Sequence, residues 1–258
     1  MRTQWIRRLT GGAGVLAGLW LALSAPPSPA KAPLPPEVSG TMLESDIAFL
    51  IKSLDVPGGK GPEKATVPTI KATAMIIALY AQNNMTGKDA DAMAALRAQA
   101  LKVAEAVAKK DFKAALAEAN LLKTPPASAD KKPLKLHEMA KFDLAELMSA
   151  YRKGPKGLNI ETDIRAQSKN VTDVKVAGHL ASNTVLLGEY TLLMPSEKAA
   201  ANPANKKKWD GYTNDMIKLA SAIADESAKG AKADKAMLKA NISKLDGSCT
   251  ACHNEFRE

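Results

Sequence analysis

Apolar side chains recur at three- and four-residue intervals through almost every long stretch of this chain, a spacing that belongs to helices. Leu144, Leu147, Met148 and Tyr151 fall on one face of a helical wheel, and Met216, Leu219, Ala220 and Ile223 on another. Good helix formers fill the positions between them; β-branched runs are short, and aromatics make up 4% of the chain. Gly58-Gly59, Met85-Thr86-Gly87, Pro125-Pro126 and Gly154-Pro155 interrupt the pattern. The spacing predicts helices over about 42–54, 68–83, 88–108 and 111–122, then over about 134–152, 171–194, 203–228 and from 231 to the C-terminus. The expected fold class is all-α: four helices, a proline-rich break, and four more.

The second set echoes the first. Asp46-Ile47-Ala48-Phe49-Leu50-Ile51 resembles Asp143-Leu144-Ala145-Glu146-Leu147-Met148, and Ala74–Tyr80 resembles Thr184–Tyr190. Leu101–Ala108 pairs with Ile217–Ala224, and Lys113-Ala114-Ala115-Leu116 with Lys235-Ala236-Met237-Leu238. The offsets are 97, 110, 116 and 122, and they only increase. A duplicated bundle with longer loops in its second copy gives that order. Alanine-rich helices also resemble one another by composition, so the weight lies on the order and not on any single match.

The two copies end differently. The last helix of the first runs out at Leu121-Leu122-Lys123, whereas that of the second continues to Cys249-Thr250-Ala251-Cys252-His253. These are the only two cysteines in 258 residues. Cys-x-x-Cys-His is the attachment signature of a c-type haem, in which the thiols become thioethers and the histidine ligates the iron. A redox disulfide would follow a strand in a βαβ pattern, and none is present. A zinc site would need further ligands nearby, and His137 and His179 have no ligand spacing with this segment. One covalent haem c is expected, on the second copy alone.

At the other end, Arg2, Arg7 and Arg8 precede a charge-free run from Leu9 to Ser24, with Ser28-Pro29-Ala30 offering the small residues a signal peptidase reads. The run is shorter than the roughly 20 residues a spanning helix needs. The expectation is a signal peptide over 1–30 and a periplasmic protein. Removing 1–30 lowers the formal charge from +9 to +6. A basic exported chain without a basic, aromatic-interleaved surface argues against nucleic acid and for an acidic partner or headgroups. The expected domains are a proline-rich extended leader over 31–40, a degenerate haem-less bundle over 41–123, a linker over 124–132, and a haem bundle over 133–258.

Four antiparallel helices with Cys-x-x-Cys-His near the end of the last resemble the class II cytochromes c, and cytochrome c prime in particular. The run Cys249-Thr250-Ala251-Cys252-His253-Asn254-Glu255-Phe256-Arg257 looks like that family's C-terminus. The resemblance covers about Pro133 to Glu258 and is only a bundle-shaped echo before that. It implies that His253 is the proximal iron ligand and that Arg257 lies beside the proximal face. Lys141-Phe142-Asp143-Leu144 stands where the family often has Lys-Tyr-Arg-Gln, so two of those four positions depart. That register puts Leu147 over the distal face with Met148 next to it. The resemblance also implies pairing through the first two helices, here as an internal pseudo-dimer of the two bundles.

Bundle geometry by itself encloses the end of the fourth helix with the start of the first, the end of the second and the start of the third. Met139, Phe142, Leu147 and Met148 would line the haem from the first helix. Leu186, Leu187 and Tyr190 would do so from the second, and Trp209, Tyr212 and Met216 from the third. Trp209 and Tyr212 also carry polar ends. His179 lies too far along its helix to be a ligand, and His137 is read as a surface histidine. The sixth ligand divides the function: leucine opposite His253 leaves room for NO or CO, while methionine (Met148 first, Met139 second) makes an electron carrier. A peroxidase-like enzyme and an interaction protein docking through the first bundle are the alternatives. The redox partner is not named by the sequence.

Overall fold

Local start signals place most of the helices. In the computed structural model, which describes residues 34–127, 132, 134, 144–154 and 156–257, α1 (Pro36–Leu54) and α2 (Val67–Asn83) each have proline in the first turn. There the missing N–H costs nothing, because no earlier carbonyl waits for it. After α3 (Ala90–Ala108), α4 (Phe112–Asn120) opens on Asp111, whose carboxylate accepts from the Ala114 N–H. The short α5 (Leu144–Met148) tightens into a 3₁₀ turn over Ser149–Tyr151, and α6 (Ile160–Lys169) follows. Asp173 caps α7 (Val174–Leu193). Beyond the four-residue α8 (Glu197–Ala200), Asn202 caps α9 (Pro203–Ser227) and Asp234 caps α10 (Lys235–Phe256). No strand is present among the described residues, and no helix there is long and apolar enough to cross a membrane. The chain is all-α.

Two sets of four helices pack in order. In the first, α2 lies on α3, α3 on α4, and α1 on both α4 and α2. In the second, α7 lies on α9, α9 on α10, and α6 fills the space between α10 and α7. Between the sets, α1 runs along α7, and α2 packs on α5, the Ser149–Tyr151 turn and α7. One apolar core runs through both, from Leu34 to Leu245.

The structure aligns three of the four matched repeats and corrects the register of one; the counterpart of α1 in the second set is α6, which packs on α10 and α7 as α1 packs on α4 and α2, and not the expected segment 143–148. With the 110 offset, buried Ile70, Met75, Ile76 and Ile77 correspond to buried Leu180, Val185, Leu186 and Leu187. The 116 offset sets Arg97, Ala100 and Val107 against Thr213, Met216 and Ile223, all buried. In the last helix the inward stripe Ala115, Ala119, Leu122 corresponds to Leu238, Ile242, Leu245, and the caps are Asp111 and Asp234. The true offset there is 123, not the 122 that matching Lys113 with Lys235 suggests. Burial and capping set the register, and a shared lysine does not.

Two further expectations are corrected. The leader was expected to be extended and solvated through residue 40, yet α1 begins at Pro36 and Leu34 and Val38 are buried. Val38 fits against Gly178 of α7, where a Cβ would come within 2.7 Å of its Cγ1, so apolar contact draws this segment into the fold. The second correction is α6, a helix where the sequence suggested a connection. It turns inward only Ile160, Ile164 and Gln167, and Asn159 enters it at a positive φ of 63°, so its periodicity is faint.

Candidate haem-attachment site

The site grows from one stripe on α10. Leu238, Ile242 and Leu245 are fully buried; Cys249 and Cys252 continue the same four- and three-residue steps half-buried, and buried Phe256 ends it. Both thiols therefore face the bundle from consecutive turns, and neither is in a disulfide. His253 follows Cys252 on the exposed flank of the helix.

Other elements wall this turn. Phe256 meets Trp209 edge-on with ring centroids 5.3 Å apart, and Tyr212 at 6.3 Å. Leu144 of α5 and Cys252 pack against this aromatic group. The Trp209 indole N–H donates to the Thr191 carbonyl at 3.1 Å, so that polar end is already engaged within the bundle. At the C-terminal end, Lys208 pairs with the Glu255 carboxylate at 2.7 Å, and Lys198 donates to the Glu255 carbonyl at 2.5 Å. Those two lysines from α8 and α9 fasten the last turn of α10.

Charge and burial set the state of the attachment groups. Burial pushes the Cys249 thiol up to about 12, with Asp246, Cys252 and Glu161 adding to it. Burial also raises Cys252, with Glu255 assisting. His253 is held below its ordinary value, first by burial and then by Arg257, while Glu161 opposes them. The imidazole is thus neutral at pH 7 and has a lone pair to give a metal. Glu161 reaches this site from the first turn of α6.

Tyr151 stands beside Cys249. Its phenol oxygen is buried, with the Thr184 hydroxyl as its polar neighbour; Thr184 gives its own proton to the Leu180 carbonyl at 2.7 Å and keeps lone pairs toward the phenol. Burial, then the nearby Cys249, drives the Tyr151 pKa upward, so it stays protonated.

The sequence-expected residues fall in several places. Trp209, Tyr212 and Cys252 come together with Phe256, whereas Cys249 packs against the shared core. Tyr190 and Met216 lie in the shared core, Met216 packed where a Cβ on Gly188 would sit. Leu147 is fully buried in the same core and Met148 half-buried, on a helix whose main neighbour is α2. Arg257 is exposed. Phe142, with Met139 and His137, lies outside the described residues. His179 is held away from this site by Asp46, at 2.9 Å from its Nε2. Leu144 and Tyr151 were legible as members of an apolar stripe without any sign that they bracket the two cysteines. Glu161 gave no signal.

These residues fit a covalently held c-type haem. Two free thiols on consecutive turns look inward, a neutral histidine follows the second, and an aromatic cluster packs beside Cys252. No curated protein and no solved structure matches the chain. The family model described as Cytochrome C' matches residues 183–257, from the middle of α7 through the attachment motif, so this segment is similar to the class II cytochromes c.

Proposed function

We propose that this protein is an exported monohaem cytochrome that transfers electrons or binds small gases such as NO and CO at a haem ligated by His253. The observation that carries this reading is the pair of inward-facing free thiols on the last turns of α10, with His253 directly after them. Bound haem supplies an iron that cycles between ferric and ferrous states and can accept a further ligand. Cys249 and Cys252 hold it by two thioethers. His253, kept neutral by burial and by Arg257, gives the iron its nitrogen. Leu144, Trp209 and Phe256 would give the group an apolar surface beside Cys252. The cysteine-free first set supports a single haem, because both cysteines of the chain lie in one motif.

Export rests on the charged, then apolar, first 30 residues and on the fact that c-type haem is attached after translocation. The packing of α1 and α2 against α7 and α5 supports an internal pseudo-dimer in place of pairing with a second chain. Optical spectra of the ferric and ferrous protein, with and without CO, test the function. A five-coordinate ferrous form whose Soret band shifts with CO supports gas binding. A low-spin ferrous spectrum indifferent to CO removes it and leaves an electron carrier, with Met148 as the candidate sixth ligand. Absence of covalent haem would end both versions.

A further inference from the structure

The segment 144–151 is gripped from two sides. Toward the attachment turn, Leu144 packs against the Trp209–Phe256 cluster that Cys252 also meets, and the Tyr151 phenol lies beside Cys249. Its other side faces α2 of the cysteine-free bundle. Lys71 pairs with Glu146 at 2.7 Å, both partly shielded from water. The fully buried Thr69 hydroxyl donates its single proton to the Lys156 carbonyl at 2.5 Å, with the Ser149 carbonyl 3.1 Å away. Ser149 turns its own hydroxyl to the Glu146 carbonyl at 2.5 Å.

Further along α2 the same pattern continues. The Gln82 amide donates to the Leu134 carbonyl at 2.7 Å and accepts from the Leu134 N–H at 3.0 Å. Buried Arg97 donates to the Lys132 carbonyl at 2.8 Å and to Gln82 at 3.1 Å. Positions 82, 71 and 69 thus hold, in reverse order along α2, residue 134, residue 146 and residues 149 and 156. By the repeat register, Gln82 and Arg97 correspond to Leu192 and Thr213, flanking the place where Trp209 meets Thr191 in the second copy. At the end of the first bundle that matches this place, Gln82 and Arg97 are therefore engaged by the backbone of Leu134 and Lys132.

We propose that Thr69 is a positioning residue for the haem site, and that the cysteine-free bundle serves to hold the wall 144–151 against the attachment turn. This rests on the haem reading above. Thr69 touches neither cysteine; it acts through Ser149 and Lys156, which fix the turn that ends in Tyr151. Loss of its hydroxyl leaves buried carbonyls without a donor and frees the turn to take more than one position. An apolar contact of the same shape would keep the packing without the hydrogen bond, which is why the hydroxyl can be tested apart from the fold.

The test uses the full chain matured with haem, comparing Thr69→Val, Thr69→Ser and Lys71→Met by ferric electron paramagnetic resonance and by covalent haem content. Thr69→Val should keep one haem per chain while its ferric signal broadens or splits into two populations. Thr69→Ser should restore the parent signal, and Lys71→Met should shift it in the same sense as Thr69→Val. A merely structural role lowers the unfolding temperature and leaves the signal alone. Signals identical to the parent in Thr69→Val and Lys71→Met, at a temperature where both are folded, overturn the proposal while the haem reading stands. A parent chain with no covalent haem overturns both.

Discussion

At the scale of single residues, the two cysteines are replaceable only at the cost of attachment. Cys249→Ser with Cys252→Ser should abolish covalent haem, because both thioether positions vanish; haem staining after denaturing electrophoresis checks it. The other residue that bears on behaviour is His179. Burial pulls its pKa down, but the Asp46 hydrogen bond and the Asp46 and Asp163 charges outweigh that and raise it above 6.5. Asp46 comes from α1, Asp163 from α6, and Asn183 one turn along α7 lies 3.2 Å from the same nitrogen. A raised folded pKa means the pair's stabilisation is complete below pH 6.5 and is lost as pH rises through the folded value. His179→Leu should flatten that slope in urea titrations at several pH values. It should also cost about 3 kcal/mol at pH 6, since it leaves Asp46 buried without its donor.

At the scale of elements, α10 depends on its first turn as much as on its last. The Asp234 carboxylate accepts from the Ala236 and Met237 N–H groups, so Asp234→Ala should destabilise the protein by about 1 kcal/mol in denaturant melts. The contact between α1 and α7 is tighter. A side chain at Gly178 meets Val38 Cγ1 at 2.7 Å and Ser227 Cβ at 3.3 Å, and valine has little rotamer freedom to give way. Gly178→Val should cost about 1–3 kcal/mol, read as a lower thermal midpoint. The duplication is also clearest here. Caps and buried stripes keep the repeats in register where sequence identity has faded, and the extra turns of α10 carry the motif that α4 lacks.

At the scale of the whole molecule, the two sets of helices share one core and α2 packs on α5 and the turn after it, so they should not come apart independently. Denaturant unfolding followed by circular dichroism and by the Soret band should give one coincident transition. Residues 131–258 expressed alone should be less stable and expose apolar surface, seen as dye binding or self-association, because α7 loses α1 and α5 loses α2. A stable 131–258 monomer without such surface would show that the bundles are separate units.

The motif Cys249–His253, the all-helical class and the order of the repeats were settled by the sequence, because each rests on local spacing: one helical turn, a 3.6-residue period, a recurring pattern. The residues that surround the motif were not. Glu161 sits on a helix with two inward isoleucines, too faint to read; Thr69 and Arg97 look like ordinary helix residues until α2 meets residues 149 and 156 and α3 meets residue 132. Leu147 reads as well as Leu144 on a helical wheel, yet Leu144 is the one that packs, as Cys252 does, against the Trp209–Phe256 cluster. Those choices belong to the tertiary structure, because which face of a helix meets which neighbour is set by long-range packing and by the demand that every buried polar group find a partner.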